Sequence, residues 1–306
     1  MKILNALKFI FVLILALNLS NCSSVDSKEN KTASRNRDAF NKYWYAGKAE
    51  ITRYALDQAR YGEIRKGDAV LIFVTEPFLT DKQVKHEFGD SKNSVSVLKL
   101  NSIKKFYTGI YPYSMMTSVF TPVAMSKHPT LKVTSSSQEW CGQTFMQLNN
   151  REGKIEALLH SYFQSEGEQN FKLDAALLED EVWTRIRLAP ESLPTGKIEI
   201  IPGLQFARLR HTPLKVEKAT AKLSTAGELQ VYTIEYKKLK RKLVIKFEKD
   251  FPHRIMEWEE SQMSGFGSNA KMMTTRAVKT HSILSDYWSK NRLSDSHLKD
   301  ELGLIY

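Results

Sequence analysis

The chain has 306 residues, a formal net charge of +11 at neutral pH and two cysteines, Cys22 and Cys141. This length suits one large or two small domains, and two cysteines exclude a disulfide framework and a cysteine-based metal site. The histidine spacing matches no metal motif, and the sequence has no Walker loop or GxGxxG motif, so it predicts neither a metal nor a cofactor.

The first 22 residues predict an export signal that ends at a lipidated cysteine. Lys2 and Lys8 accompany an apolar run over residues 9–17, which is shorter than the about 20 residues that a membrane-spanning helix needs. Cys22 follows Leu-Ser-Asn, an order that resembles a bacterial lipobox, where the cysteine sulfur receives the lipid. An ordinary cleaved signal is the alternative. Since each methylene of an acyl chain adds about 0.8 kcal/mol of membrane affinity, we expect Cys22 to anchor the protein to a membrane.

Residues 23–37 are polar and predict a flexible tether between the anchor and the body. In the lipoproteins that this signal resembles, an aspartate directly after the cysteine favours retention in the inner membrane. This chain has Ser23 at that position, which disfavours such retention. We therefore expect a lipid-anchored protein of the cell envelope, at the outer membrane. For an exported basic chain, anionic lipid head groups or acidic polysaccharide are more fitting partners than nucleic acid.

The body, residues 38–306, shows the two-residue alternation of half-buried strands. Residues 49–61 fit a helix or a strand, and we favour a strand because the β-branched run 70–75 follows a turn that contains glycine. Other strands are predicted over residues 145–148, 155–163, 196–201, 204–209, 214–223 and, as a hairpin, 229–248.

Helices are fewer. Residues 174–188 predict one helix, with Glu179, Asp180 and Glu181 as a helix-start charge cluster. Residues 283–290 predict a second helix. Together these elements predict a mainly β fold, an antiparallel curved sheet or open barrel with a few helices.

Two polar features have a structural interpretation. The basic run over residues 237–242 predicts a solvated hairpin turn. Cys141 lies in a Trp-Cys-Gly sequence similar to the thioredoxin site, but the second cysteine of that site is missing, so we expect a small buried residue there.

Residues 106–126 contain no charge and are rich in tyrosine, phenylalanine and methionine. One interpretation is plain buried core. The functional interpretation is the lining of an apolar ligand pocket, with Tyr113, Met115 and Met116 as the candidate ligand-binding residues.

Several segments resemble a family of exported proteins from Bacteroidota-like bacteria that is labelled septum formation inhibitor Maf. The resemblance lies in residues 43–51, 59–63, 71–76, 108–114 and 137–143. Genuine Maf proteins are cytoplasmic nucleoside-triphosphate pyrophosphatases with a Ser-x-Ser-Pro-Arg segment after the first strand. That segment is missing here and an export signal stands in its place, so the resemblance implies an exported protein and transfers no catalytic residue.

The sequence thus predicts a membrane-anchored envelope lipoprotein with a binding or envelope-maintenance role, for an apolar ligand or an envelope protein. The alternative is an envelope hydrolase that acts on glycan, peptide or lipid. A convergent, buried set of titratable groups in a cleft would distinguish the enzyme from the binding protein.

Overall fold

The computed structural model describes residues 37–90, 92–125, 129–265 and 267–304. The predicted export signal, the lipidation site at Cys22 and nearly all of the predicted tether lie outside the described residues. The chain divides after Ala46 into two compact units. In the first unit, residues 37–44 form a helix, α1. Within the described ranges, no helix combines the length and apolar character needed to cross a membrane.

The second unit contains one large sheet, which does not close on itself. Its strands are β1 (Ala49–Arg60), β2 (Glu63–Leu79), β3 (Val84–Lys85), β4 (Ser94–Thr108), β5 (Tyr111–Pro122), β6 (Lys132–Glu139), β7 (Gly142–Arg151), β8 (Lys154–Ser161), β9 (Glu168–Asp174), β10 (Leu177–Leu178), β11 (Gly196–Ile201), β12 (Glu217–Ala226), β13 (Leu229–Tyr236), β14 (Arg241–Glu248), β15 (Ile255–Ser264) and β16 (Lys271–Ser285).

The sheet is a meander in which the first and last strands of the chain, β1 and β16, pair in the middle of the sheet. Its order is β10-β11-β12-β13-β14-β15-β16-β1-β2-β4-β5-β6-β7-β8-β9, with β3 beside β2. The β10–β11 pair is parallel, and the other described pairs are antiparallel. The predicted mainly β, antiparallel fold is therefore confirmed.

Helices α2 (Glu179–Leu188) and α3 (Leu204–Arg210) cover one face of the sheet, here called the inner face. Helix α2 packs on β4 and β5, and α3 contacts β5 and β6. Helix α4 (His297–Glu301) and the 3-10 turns Pro190–Ser192, Gly267–Asn269, Tyr287–Ser289 and Leu293–Ser296 complete the described elements. On the opposite face of the sheet, here called the outer face, Leu302 packs with Ile51 and Val70 in a hydrophobic cluster.

Most of the predicted strands are present. The hairpin over residues 229–248 is β13–β14, in which Tyr232, Ile234 and Ile245 are buried because the two-residue period puts them on the inner face. Residues 49–61 form strand β1, which resolves the ambiguity in favour of a strand.

Two predictions were wrong. Residues 204–209 form helix α3, because the side chain of Asp180 accepts a hydrogen bond from the backbone N–H of Leu204, at 2.9 Å, and so satisfies a donor at the helix start. Residues 283–290 do not form one helix, because β16 continues to Ser285, where it pairs with Ala49 of β1, and only Tyr287–Ser289 form a 3-10 turn. The predicted helix over 174–188 exists but begins at Glu179.

The antiparallel meander brings several turns to one end of the sheet, here called the rim. Arg60 pairs with Glu63, Thr108 with Tyr111 and Glu139 with Gly142 at the three hairpin turns of β1–β2, β4–β5 and β6–β7. By the same register, the turns of β8–β9, β13–β14 and β15–β16 and the end of β11 also lie at the rim. Helix α3 follows β11 there.

Candidate functional site

The three candidate ligand residues do not share one surface. The uncharged stretch forms the end of β4, a turn and β5; Ser126 lies outside the described residues. Tyr113 and Met115 are on the inner face, at 1% and 0% exposure, whereas Met116 lies on the outer face and is 37% exposed. Successive side chains of a strand point to opposite faces, so the strand separates Met116 from the other two.

Tyr113 connects this stretch to a buried arginine at the rim. One terminal nitrogen of Arg60 donates to the hydroxyls of Tyr61 and Tyr113, at 3.0 and 3.1 Å, and these hydroxyls lie 3.0 Å apart. The other terminal nitrogen donates to the carbonyl oxygen of Leu209. The guanidinium also lies 4.1 Å from the centre of the Tyr61 ring. Neutral oxygens and a ring therefore hold Arg60, which is 7% exposed.

The β1–β2 turn fixes Tyr61 beside this guanidinium. Tyr61 and Gly62 have φ values of +55° and +78°, as a two-residue type I′ hairpin turn requires at both central positions. The backbone N–H of Gly62 donates to the hydroxyl of Ser264, at 3.1 Å. The turn is thereby tied to the end of β15.

The C-terminal end of α3 supplies the other side of the site. His211 ends the helix in the left-handed region, with φ of +49°. Its Nδ1 lies 2.5 Å from Glu166 Oε1, and Arg208 lies 3.4 Å from a carboxylate oxygen of Glu139. Arg208 and His211 therefore each have a carboxylate neighbour.

Arg60 and Tyr61 on one side and Arg210 and His211 on the other line a pocket of about 220 Å³ between α3 and the ends of β1 and β15. Among the described residues, neither Arg60 nor Arg210 has a carboxylate oxygen within the 4.0 Å of an ion pair. Burial and the charge of Arg60 lower the pKa of Arg210. The polar lining consists of Arg60, Tyr61, Arg210, His211, Gln262 and Ser264. The pocket, here called the rim pocket, thus presents two arginines without an ion-pair partner among the described residues, and it suits an anion.

A series of aromatic rings leads from the rim pocket to the surface. Tyr113 stacks on Phe106, at 4.8 Å between ring centres, and lies 5.9 Å from Tyr111. Tyr111 in turn lies 6.3 Å from Trp140, which is 68% exposed. The tyrosine that binds Arg60 is therefore continuous with an exposed tryptophan.

Cys141 does not occupy the predicted buried position. It lies at the tip of the β6–β7 turn and is exposed, because the turn projects beyond the last paired residues, Glu139 and Gly142. A hydrogen bond with Glu139 raises the pKa of the Cys141 thiol. This environment disfavours the thiolate and gives no support to a nucleophilic role.

A second polar cluster lies between α2 and the inner face. Arg241 donates to both carboxylate oxygens of Glu179 and to Glu260, the latter at 2.6 Å. Tyr236 donates to Glu179, also at 2.6 Å. Burial opposes ionisation of Glu260, but Arg241 and Lys104 hold its pKa below the ordinary value. The prediction of a solvated turn is correct for Lys237, Lys238 and Lys240, which are exposed. It is wrong for Arg241, whose buried guanidinium binds the carboxylates of Glu179 and Glu260.

The helix-start acids are likewise more than a local charge cluster. Glu179 and Asp180 border a small cavity of about 40 Å³, together with Lys104. Burial raises the pKa of Asp180 to about 7 and lowers the pKa of Lys104. Lys104 is 7% exposed and forms no ion pair with any described residue. Gly203 passes close by, since a Cβ there would lie 2.6 Å from a Glu179 oxygen.

Sequence reasoning missed Arg60, Arg210, Lys104 and Arg241 as site residues. A charged residue at an inward position of an alternating strand was the available signal for Lys104 and Arg241. For the two rim arginines the chain offers no local signal, because α3 and β1 are far apart in sequence. No group of histidine, cysteine, aspartate or glutamate side chains in the described ranges has a metal-binding arrangement.

Comparison with protein-family models, curated proteins and solved structures found no match. The functional argument therefore rests on the two polar sites themselves.

Proposed function

We propose that this protein is a lipid-anchored envelope protein that binds an oxyanion, a phosphate or a carboxylate, in the rim pocket. The observation that supports this function is the pair formed by Arg60 and Arg210, which face one pocket without a carboxylate partner among the described residues. Arg60 is buried and Arg210 is half-buried, and a charge withdrawn from water is costly unless a counter-charge accompanies it. A bound anion would supply that charge.

The donors of the pocket match oxyanion chemistry. A guanidinium presents its N–H groups in a planar fork that fits carboxylate and phosphate oxygens. The Nε of Arg60 has no hydrogen-bond partner in the described structure. Arg210 forms no ion pair with any described residue. The volume of about 220 Å³ accommodates a phosphate-sized group with part of its substituent.

The envelope location rests on the sequence, namely the export signal and the lipobox-like position of Cys22. An apolar ligand is less well supported than an anionic one. Tyr113 and Met115 are packed in the interior, and Met116 lies on the other face of the strand.

The size of the interior cavity argues against the hydrolase alternative. Asp180 and Lys104 are the convergent titratable groups that an enzyme would use. Their cavity of about 40 Å³ exceeds the about 10–15 Å³ that one water molecule needs but is far smaller than a sugar or peptide unit. We therefore place binding at the rim ahead of hydrolysis in the interior.

Calorimetric titration with inorganic phosphate and with acetate tests this function. We expect the wild-type chain to bind at least one of the two anions and Arg210→Gln to bind it about tenfold more weakly or worse, since a hydrogen bond to a charged group contributes about 1.5–3 kcal/mol. Arg292→Gln is the matched control, because Arg292 is exposed and lies near the opposite end of β1. Equal affinity of both variants, or no binding by the wild type, would contradict the proposal.

A further inference from the structure

Three neighbouring turns of the rim each present a large apolar side chain to solvent. Ile110 is 79% exposed, Trp140 is 68% exposed and Tyr162 is 72% exposed. They belong to the hairpins β4–β5, β6–β7 and β8–β9, which are consecutive in the sheet. Adjacent strands lie about 4.8 Å apart, so successive tips are about 10 Å apart in a row.

The tips are held by their surroundings. The Tyr162 ring packs on Gly142, where a Cβ would lie 2.6 Å from the ring. The backbone N–H of Cys141 donates to a carboxylate oxygen of Glu139, at 2.7 Å, which fixes the turn that carries Trp140. An exposed apolar row on ordered turns marks an interaction surface.

Positive charge accompanies this row at the same end of the sheet. Trp140 connects through Tyr111 and Tyr113 to Arg60 in the rim pocket. The β13–β14 turn, also at the rim, exposes Lys237, Lys238 and Lys240. Apolar tips with a basic pocket and a basic turn complement a surface that is apolar inside and anionic at its face.

We propose that the rim is a docking surface for a membrane containing anionic lipids, and that the oxyanion of the rim pocket is a lipid head-group phosphate. This inference rests on the proposed oxyanion pocket. Tryptophan and tyrosine lie preferentially at head-group depth, where the ring is partly buried and its polar atom stays hydrated. Basic residues are attracted to the negative surface potential of anionic leaflets.

Vesicle co-sedimentation tests the proposal. The full mature chain carries Cys22→Ser, so that no acyl chain contributes to binding. We expect binding to vesicles of equal parts phosphatidylglycerol and phosphatidylcholine and much weaker binding to phosphatidylcholine alone. Trp140→Ala should weaken vesicle binding roughly tenfold, since the variant no longer buries a large aromatic ring at the membrane interface. Trp288→Ala is the control, because Trp288 is a 52% exposed tryptophan just beyond the far end of β16.

Inorganic phosphate separates failure of this inference from failure of the proposed function. Phosphate binding that requires Arg210, without vesicle binding, would overturn membrane docking and leave the oxyanion pocket intact. Vesicle binding that is insensitive to Trp140→Ala or equal on both lipid compositions would also overturn it. Loss of affinity in Trp140→Ala with phosphate binding unchanged is the result we expect.

Discussion

Two buried arginines of the interior and Arg60 of the rim pocket have different partners. Arg187 donates to both oxygens of Glu50, each at 2.6 Å, and Arg241 is held by Glu179 and Glu260. Arg60 is held by two tyrosine hydroxyls and a backbone carbonyl. The interior thus pairs each of these two charges with carboxylates, whereas Arg60 has no carboxylate within ion-pair distance in the part of the chain that the structure describes.

Burial does not explain this difference. The exposed fraction is 3% for Arg241, 1% for Arg187 and 7% for Arg60. A buried ion pair is costly to break because the remaining charge is uncompensated. Neutral oxygens orient Arg60 without cancelling its charge. The comparison therefore favours a folding role for the interior pairs and supports the binding role proposed for Arg60 and Arg210.

The largest expected effect comes from breaking an interior pair. Arg241→Met leaves Glu179 and Glu260 buried without a cation in contact. We expect the free energy of unfolding to fall by about 3–5 kcal/mol. Urea denaturation monitored by circular dichroism measures this loss.

Lys242→Met is the matched control, since Lys242 is the next residue of β14 and is exposed. Its effect should remain within about 0.5 kcal/mol. Equal losses for the two variants would show that the Arg241 cluster has no special structural role and would remove the contrast with the rim.

The sheet could be predicted from sequence to a large extent, because its signal is local. In β13 and β14 the inward positions Tyr232, Ile234, Leu243, Ile245 and Phe247 are apolar or aromatic, Arg241 is a charged exception, and the lysine-rich turn separates the two strands. Helix α3 could not be predicted, because it has only seven residues. Its apolar positions 204, 206, 207 and 209 fit both the 3.6-residue period of a helix and the two-residue period of a strand. Its helical start depends on Asp180, which lies 24 residues earlier.

The candidate sites could be predicted much less well. The sequence predicts Tyr113 as a pocket residue, but its partner Arg60 lies 53 residues away, and their contact follows from the sheet order. Arg241 belongs to a basic run that predicts a solvated turn. No residue near it in the sequence indicates that its guanidinium binds Glu179. Such pairings are set by topology, which alternation alone does not specify.

A smaller effect, opposite in sign, is expected at Asp180. Its pKa is raised by burial to about 7, against about 3.9 in an unfolded chain. The folded state therefore binds the proton more tightly, and stability is lost as pH rises from about 4 to about 7. Asp180→Asn removes this loss and keeps an oxygen acceptor for the Leu204 N–H, so the variant should gain about 2–3 kcal/mol relative to wild type between pH 5 and pH 8.

Thermal and urea denaturation at the two pH values measure this gain. Asp90→Asn, at an exposed loop position, is the matched control. An Asp180→Asn variant whose relative stability is the same at pH 5 and pH 8 would contradict the raised pKa.

The smallest effect on stability is expected at the rim. Arg210 is partly exposed and has no carboxylate partner among the described residues, so Arg210→Gln breaks no ion pair. Without ligand, the free energy of unfolding of this variant should stay within about 0.5 kcal/mol of wild type.

A ligand that binds the folded state alone adds RT ln(1 + [L]/Kd) of stability, about 2.7 kcal/mol at a hundredfold excess over Kd. Adding the bound anion should therefore raise the melting temperature of wild type more than that of Arg210→Gln, while a matched addition of sodium chloride raises neither selectively. A marked loss of stability in ligand-free Arg210→Gln would place this arginine with the interior pairs and remove the distinction between the two regions.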